Sequence, residues 1–304
     1  MRKVIDIHSH LGDIFHEQKN VIWKLNVKHG DYPNPFQNLE DSDFMQPLLA
    51  NLDELPQLID AGQYLCWENT LENLTKKLNS EDVTYIVLYP ILPNTSFEEY
   101  LAASRFEPRI LLFTSADFSR PIPDMVAKLE SDIEKGAKGL KVHPILQNIS
   151  LEDPRLIAAI EVFGRRKMPI VSHCGANDYY IDKPYERTPE YGDLKYFMDM
   201  ARKFPDYVLI AAHAGGLNGG EMEILHDNWS DFKNVYVDTT FRSYVDIRRQ
   251  VEFFGADRVL FGTDNPFSTH TGAIRQVEKA FPDDPEIREK ILYKNAARIL
   301  NINV

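Results

Sequence analysis

Six side chains that can bind a metal or move a proton stand directly after short apolar segments of this sequence. Five of them are histidines, out of nine in the whole chain, and the sixth is an aspartate. They are, in chain order, His8, His10, His143, His173, His213 and Asp264. A glycine or a proline follows each of them within a few residues, which marks the start of a loop. We therefore predict that all six lie at the ends of strands.

The first two of these histidines, His8 and His10, are separated by one residue, so on a strand both side chains point to the same face. Two imidazoles about 6.6 Å apart along a strand can chelate one ion, and imidazole suits Zn, Fe and Ni. A lone pair of this kind is also common by chance, with each histidine simply hydrogen-bonded at a strand end. The presence of His173 and Asp264 at other strand ends favours a metal site.

Eight apolar runs carry these residues and are predicted to be strands. They are rich in Val, Ile and Leu without strict polar alternation, which is typical of parallel strands covered on both faces. The runs are 4–8, 83–89, 110–115, 139–143, 170–173, 208–213, 235–238 and 259–262. Amphipathic segments lie between them, such as the one that Asp153 could cap ahead of Pro154.

Strands that alternate with helices indicate repeated right-handed βαβ units, in either a closed barrel or an open doubly wound sheet. No glycine-rich dinucleotide fingerprint follows any strand, and the 304 residues exceed the roughly 250 that a barrel needs. We predict an α/β fold, a single-domain (β/α)₈ TIM barrel over 1–304 with an insertion at 12–63 that covers the mouth as a lid. The six side chains would then converge at that mouth, where barrel active sites lie.

The charge, the apolar segments and the cysteine content of the sequence limit the kinds of molecule that the protein is expected to bind. With 34 basic and 46 acidic side chains the formal net charge is −12, which argues against a nucleic-acid or anionic-membrane surface. No stretch has the length of a transmembrane helix, and the opening lacks the apolar run of a signal peptide. Two cysteines cannot form a disulfide framework in a chain of this size, so a cytoplasmic location is expected. A small-molecule substrate fits these limits.

The segments IDIHSH, GLKVHP, IVSHCG, IAAHAGG and VLFGTDNPF, with the closing REKILYKNAARIL, resemble the amidohydrolase superfamily of metal-dependent barrel enzymes. The chain is most similar to the amidohydrolase-related branch that contains aminocarboxymuconate-semialdehyde decarboxylase and the resorcylate decarboxylases. The resemblance implies one divalent metal, Zn²⁺ in preference to Mn²⁺ or Fe²⁺, held by His8, His10, His173 and Asp264. It also implies that His213 lies beside the ion as an acid, a base or a polarising group, and that the chain forms a homodimer.

Lys141 in GLKVHP leaves a binuclear alternative open. In binuclear members of the superfamily a carbamylated lysine on the fourth strand bridges two ions, whereas the branch that this chain resembles is mononuclear. One metal is therefore preferred, with Lys141 either as a cationic substrate contact or simply paired with a nearby carboxylate. Arg242 follows the seventh strand and could clamp a substrate carboxylate, although an ordinary surface salt bridge would fit equally well. Asp6 alternates with His8, so we expect it to orient a ligating imidazole or to pair with Lys141.

Two reactions use the same residues. In a hydrolase, metal-activated water attacks the carbonyl of an amide, ester or lactone while Asp264 and His213 move protons. In a non-oxidative decarboxylase of an aromatic or conjugated acid, one of these two residues delivers a proton to carbon. A barrel that binds a ligand without turnover is a third alternative. It is disfavoured because storing an ion does not require an open mouth with an additional histidine. The hydrolase is preferred because hydrolysis is the commonest chemistry of the superfamily.

Overall fold

Eight short strands form the centre of the fold. The computed structural model describes residues 2–16, 21–24, 55–179 and 188–304. Within these residues the strands are β1 (Ile5–Ser9), β2 (Tyr85–Leu88), β3 (Ile110–Leu112), β4 (Leu140–Val142), β5 (Ile170–Ser172), β6 (Leu209–Ala211), β7 (Val235–Asp238) and β8 (Val259–Leu260). Each lies within one of the predicted apolar runs or extends one residue beyond it, so all eight strand predictions are confirmed.

All pairings between neighbouring strands are parallel, and they run in chain order. β1, β2 and β3 form one set and β4 to β8 form the other. Two isolated parallel bridges join the sets, one between Thr114 and Leu140 and one between Ser9 and Asn265. The second bridge connects the end of β1 to the chain just after β8, so the strands close into a barrel. The predicted (β/α)₈ barrel is confirmed.

Helices follow the strands and cover the outside of the barrel. They are α1 (Leu55–Glu68), α2 (Leu71–Ser80), α3 (Phe97–Ser104), α4 (Ile122–Glu134), α5 (Pro154–Gly164), α6 (Leu194–Lys203), α7 (Glu221–Asp227), α8 (Tyr244–Phe254), α9 (His270–Ala280), α10 (Pro285–Glu289) and α11 (Asn295–Leu300), with a π-helical turn at Lys290–Lys294. As predicted, the Asp153 carboxylate caps α5 by accepting from the N–H of Arg155, and Pro154 is the first helical residue. Among the described helices, none has both the length and the apolar composition that crossing a bilayer requires.

The strands bury both faces, which explains their apolar composition. Leu140 and Val142 pack outward against helix residues such as Leu156 and Phe163. A second cluster fills the barrel interior with alternate residues of neighbouring strands: Ile5, Ile7, Val87, Tyr89, Phe113, Val171, Ile210 and Leu260. Each large apolar side chain buried in this way contributes about 1.5–3 kcal/mol, so the barrel forms a stable frame for the residues at its mouth.

The predicted insertion at 12–63 lies mostly outside the described residues, because 17–20 and 25–54 fall within it. Of its described part, Ile14 and Phe15 are buried in an apolar cluster with Cys66 and Phe267. These residues follow β1 and β8 or belong to α1, so the cluster lies beside the carboxyl ends of the strands. The assignment of the whole insertion as a lid stays a prediction.

Candidate metal centre

The strand that carries His8 and His10 is irregular. Its pairing with β2 shifts register between Asp6 and Ser9. Ile7 belongs to the interior apolar cluster, and the next residue, His8, also lies inside the barrel, with its ring centroid 5.0 Å from that of Tyr89. Two successive residues on one face are typical of a β-bulge, a feature that redirects side chains beside active sites.

The prediction that Asp6 orients a ligating imidazole or pairs with the lysine of β4 is wrong. Strict alternation from His8 does not hold across the bulge, and the Asp6 carboxylate accepts hydrogen bonds from other groups. The donors are the N–H of His8 (3.0 Å), the N–H of Thr263 (3.1 Å), the hydroxyls of Ser9 and Thr263 (2.5 Å each) and Nε2 of His270 (2.9 Å). Asp6 therefore holds the main chain of β1 and the chain after β8 together.

Three of the predicted metal ligands converge at the mouth. The Oδ1 atom of Asp264 lies 3.3 Å from Nε2 of His8 and 3.1 Å from Nε2 of His10. All three residues are buried, and their ligand atoms lie within 4.8 Å of one another. Strands β1 and β8, which are separated by about 250 residues in the chain, thus present one shared set of donors.

The hydrogen bonds behind these ligands fix which ring nitrogens are available. Nδ1 of His8 lies 2.9 Å from Oδ2 of Asp238, and Nδ1 of His10 lies 2.9 Å from the carbonyl oxygen of Tyr89. Because both partners are acceptors, each Nδ1 carries a proton, and each Nε2 is turned towards Asp264 and the centre of the group. Two imidazole nitrogens and a carboxylate oxygen that converge in this way are a set of ligand atoms that fits a divalent ion such as Zn²⁺.

Asp238 acts behind the ligands. With His8 and His213 it forms a second converging group, but both of its carboxylate oxygens already accept hydrogen bonds. Oδ2 accepts from His8, and Oδ1 accepts from the N–H of His213 (2.9 Å) and from the hydroxyl of Thr240. Asp238 therefore orients the His8 ring, and a carboxylate behind an imidazole is a common arrangement in metal sites.

His173 and His213 form a separate pair on β5 and β6. Nδ1 of His173 lies 3.2 Å from Nε2 of His213, and its Nε2 lies 3.2 Å from the carbonyl oxygen of Gly175. Among the described residues, His173 joins neither converging group. The ring of His213 lies 5.0 Å from that of His8 and connects the two halves of the site. His143 stacks on His173 with ring centroids 4.1 Å apart.

Burial keeps the histidines of the site neutral. Removal from water disfavours the charged form, and it lowers the pKa of these side chains well below the ordinary value. The residues affected are His8, His143, His173 and His213. Burial alone would raise the pKa of Asp264, but its contacts with His8 and His10 outweigh that effect and lower it to about 2. Burial therefore favours the neutral form of these four imidazoles, whereas Asp264 is ionised at neutral pH.

Both predicted catalytic residues adopt a left-handed backbone conformation, with φ 58° at Asp264 and φ 56° at His213. Such a conformation is uncommon for a residue with a side chain and is typically stored at functional sites. Hydrogen bonds hold it in place, from the N–H of Asp264 to the carbonyl of His8 (2.7 Å) and from the N–H of His213 to Asp238. These two turns direct the side chains into the mouth.

Lys141 lies at the floor of the site. Its side chain is fully buried, and Nζ lies 3.5 Å from Nε2 of His8 and 5.0 Å from the ring centroid of Tyr89. Burial lowers the pKa of Lys141 to about 8, although Asp264 and Asp238 oppose the shift. The predicted roles of Lys141, a substrate contact or a carbamylated metal ligand, stay predictions.

Arg242 is half-buried beside His213 and supports the loop that follows β6. Its Nη2 donates to the carbonyl oxygens of His213 and Gly216, the latter at 2.6 Å. Its Nε is buried without a hydrogen-bond partner. The alternative of an ordinary surface salt bridge is therefore wrong. Nη2 of the guanidinium is bound to main-chain carbonyls, whereas Nε remains available to a ligand.

Sequence reasoning missed His270, which is fully buried at the start of α9. Its Nε2 lies 2.9 Å from Oδ2 of Asp6, and its Nδ1 lies 3.0 Å from Oε2 of Glu81. Burial alone would lower the pKa of His270, but the bonds to both carboxylates raise it to about 9. No local pattern marks this histidine, because its partners are 264 and 189 residues away in the sequence.

The raised pKa of His270 predicts a pH-dependent stability. The folded pKa of about 9 exceeds the value of about 6.5 in an unfolded chain, so the contribution is complete below pH 6.5 and is lost as the pH rises through 9. Asp6, Glu81 and the nearby Lys77 are the charged groups that face this region. We expect the difference in Tm between wild type and His270→Gln, measured by calorimetry on metal-free protein, to shrink between about pH 6.5 and pH 9.5. A difference that stays constant would contradict this.

The comparisons with known proteins agree with the fold. The amidohydrolase family model matches residues 70–302. No curated protein matches the chain. Among solved structures, an uncharacterised TIM-barrel protein from Bordetella bronchiseptica is similar with TM-score 0.67 and 18% identity, over 99% of each chain.

Two further structures have names that describe reactions. A 5-carboxyvanillate decarboxylase from Sphingomonas paucimobilis has TM-score 0.64 and 14% identity, over 99% of each chain. A probable 2-pyrone-4,6-dicarboxylic acid hydrolase from Acinetobacter baumannii has TM-score 0.61 and 12% identity, over 98% of this chain and 99% of the other. At such identities the likeness establishes the barrel and leaves the reaction to the residues at its mouth.

Proposed function

Because the chain belongs to the amidohydrolase family of metal-dependent enzymes, we propose that it is a metal-dependent hydrolase of a small amide, ester or lactone. The observation that carries the proposal is the convergence of His8, His10 and Asp264 with the opposite ring nitrogens already engaged. We propose that these three residues and His173 hold one divalent ion, with Zn²⁺ preferred. A bound ion supplies an activated water and polarises the carbonyl group of the substrate.

The protein residues would bind the substrate and move the protons. Asp264, ionised at neutral pH, would accept the proton of the attacking water. His213 has a buried Nδ1 without a hydrogen-bond partner, and it would exchange a proton with the leaving group at that atom. Nζ of Lys141 and Nε of Arg242 would contact the polar end of the substrate. The predicted lid over 12–63 would exclude bulk water during the reaction.

A decarboxylase of an aromatic or conjugated acid is the second candidate. A carboxylate substrate needs cationic partners, and Lys141 together with the unpaired Nε of Arg242 could supply them. Nη2 of Arg242 is already used by two main-chain carbonyls, so a bidentate clamp would require that loop to give up a bond. This is why the hydrolase remains the first candidate. Both reactions place the substrate above the same proposed ion.

A panel of compounds separates the two reactions. Aryl esters and lactones would be followed with a pH indicator, while 5-carboxyvanillate and 2,6-dihydroxybenzoate would be followed by release of CO₂. We expect acid release from at least one ester or lactone and no CO₂. Release of CO₂ without acid production would replace the hydrolase by the decarboxylase.

Metal content tests the proposed centre directly. Purified protein is expected to carry close to one divalent ion per chain by elemental analysis, and His173→Ala is expected to lose most of it. His226→Ala, a change at a partly exposed histidine of α7, is the matched control and should keep its ion. Full occupancy in His173→Ala with loss in His10→Ala would remove His173 from the ligand set.

Two other results of the same measurement have clear meanings. Folded wild-type protein that takes up no divalent ion would refute both candidate functions. Two ions per chain, with a mass increase of one CO₂ on Lys141, would favour the binuclear arrangement in which His173 and His213 bind a second ion.

A further inference from the structure

We propose that Glu81, His270 and Asp6 form a positioning relay, which aims His8 and Asp264 at a shared ion without touching the substrate. The inference rests on the proposed metal centre for its functional meaning. Its structural content concerns the two chain segments that supply those ligands, β1 and the loop after β8. The relay lies beside β1, between this strand and the residues that follow α2 and β8.

The first step of the relay is the pair of bonds on His270. Both ring nitrogens face carboxylate oxygens, Nε2 towards Asp6 and Nδ1 towards Glu81. Since carboxylates accept, both nitrogens must donate, and the ring is an imidazolium. The main-chain N–H of His270 adds a third bond, 2.9 Å long, to the same oxygen of Glu81. A buried cation held in this way fixes the position of Asp6 more firmly than a neutral partner would.

In the second step, the two carboxylate oxygens of Asp6 accept hydrogen bonds from both chain segments. One oxygen accepts from the main-chain N–H groups of both His8 and Thr263, at 3.0 and 3.1 Å. The other accepts from the hydroxyls of Ser9 and Thr263. The bulge leaves the N–H of His8 outside the ordinary ladder, and Asp6 provides its acceptor. The carboxylate thereby sets the distance between β1 and the segment that ends in Asp264.

The third step of the relay links Asp6 to the proposed ligands Asp264 and His8. Thr263 Oγ1 accepts from the N–H of Asn265 at 3.1 Å, which defines the turn at Asp264. The N–H of Asp264 in turn donates to the carbonyl of His8. The segment after β8 and strand β1 approach each other so closely that a Cβ at Gly262 would lie 3.0 Å from Cβ of His8. A small movement of Asp6 therefore changes the separation of two proposed ligand atoms.

The test compares three proteins: wild type, His270→Gln and Asn295→Ala. Glutamine keeps hydrogen-bonding groups but removes the positive charge. Asn295 donates to the carbonyls of Ala256 and Val259 at the opposite end of β8, so its replacement perturbs the same strand away from the mouth. We expect His270→Gln to weaken Zn²⁺ binding by at least about tenfold, measured by competition with a chromophoric chelator. Asn295→Ala should lower the Tm and leave Zn²⁺ binding within twofold of wild type.

A second readout does not depend on metal. In ¹⁵N-histidine spectra of metal-free protein, we expect both ring nitrogens of His270 to be protonated at pH 7.5. We also expect the ring resonances of His8 to shift in His270→Gln and to stay in place in Asn295→Ala. Wild-type protein without metal affinity would refute the proposed function, while the His8 resonances would still decide the relay.

Two results would overturn the relay. One is His270→Gln with a lowered Tm but wild-type Zn²⁺ affinity and unshifted His8 resonances, which would reduce the trio to a purely structural contact. If His270→Gln does not fold, Thr263→Val replaces it, since this change removes one donor to Asp6 and nearly preserves volume. We expect at least a threefold loss of Zn²⁺ affinity there, and no loss would equally count against the relay.

Discussion

Asp264→Asn is expected to lower kcat about 10⁴-fold for the panel compound that the wild type turns over fastest. The amide keeps the shape of the carboxylate but has no negative charge for the ion and cannot accept the proton of water. The carboxylate is also the contact shared by His8 and His10. Initial rates and metal content should both be measured at saturating Zn²⁺. This separates an effect of losing the ion from an effect of losing the carboxylate that accepts the proton.

The matched control is Asp132→Asn in α4. Asp132 is also fully buried, and it accepts from the Thr114 hydroxyl at 2.7 Å and from Nζ of Lys128 at 2.5 Å. The same chemical change there should lower the Tm while leaving kcat within about twofold. An Asp264→Asn protein that retains a tenth or more of the wild-type rate would remove this residue from the chemistry.

His213→Gln is expected to lower kcat about 10³-fold without changing the metal content. The reason is its place between the two halves of the site, with Nε2 facing His173 and Nδ1 buried and unpaired. Glutamine can donate and accept, but it does not exchange protons at neutral pH. Rate and metal content measured on one preparation test the prediction, and His226→Gln at the outer surface is the control.

A loss of metal in His213→Gln would lead to a different conclusion. It would place His213 among the ligands, as in the binuclear alternative, and would assign proton transfer to Asp264 alone. An unchanged rate with unchanged metal would instead restrict His213 to a structural role in the turn after β6.

Much of the fold could be predicted because its signals are local. The strands are continuous apolar runs, and a capping aspartate followed by proline marks the start of α5. The residues at the strand ends were found for the same reason, since a parallel barrel brings all its carboxyl ends together. The convergence of His8, His10 and Asp264 follows from this rule.

The remaining parts of the site depend on contacts between distant residues. The bulge between Asp6 and Ser9 reverses the side of Asp6, and no residue type in the segment marks it. Asp238 orients His8 from 230 residues away, and the role of His270 depends on partners in β1 and after α2. Alternation and composition cannot report such pairs, because each partner is ordinary in its own neighbourhood.

The closure of the barrel between Ser9 and Asn265 has a consequence for biosynthesis. The segment of β1 that carries His8 and His10 leaves the ribosome before β2 to β8, and its carboxylate partner Asp264 is synthesised about 250 residues later. Until then β1 has β2 on one side and nothing on the other, and the Asp6 carboxylate lacks both Thr263 and His270. The convergence of His8, His10 and Asp264 and the closing contact of the barrel thus form together. A nascent chain arrested before Asp264 would lack this carboxylate, so the three converging side chains of the mouth come together only after β8 has been synthesised.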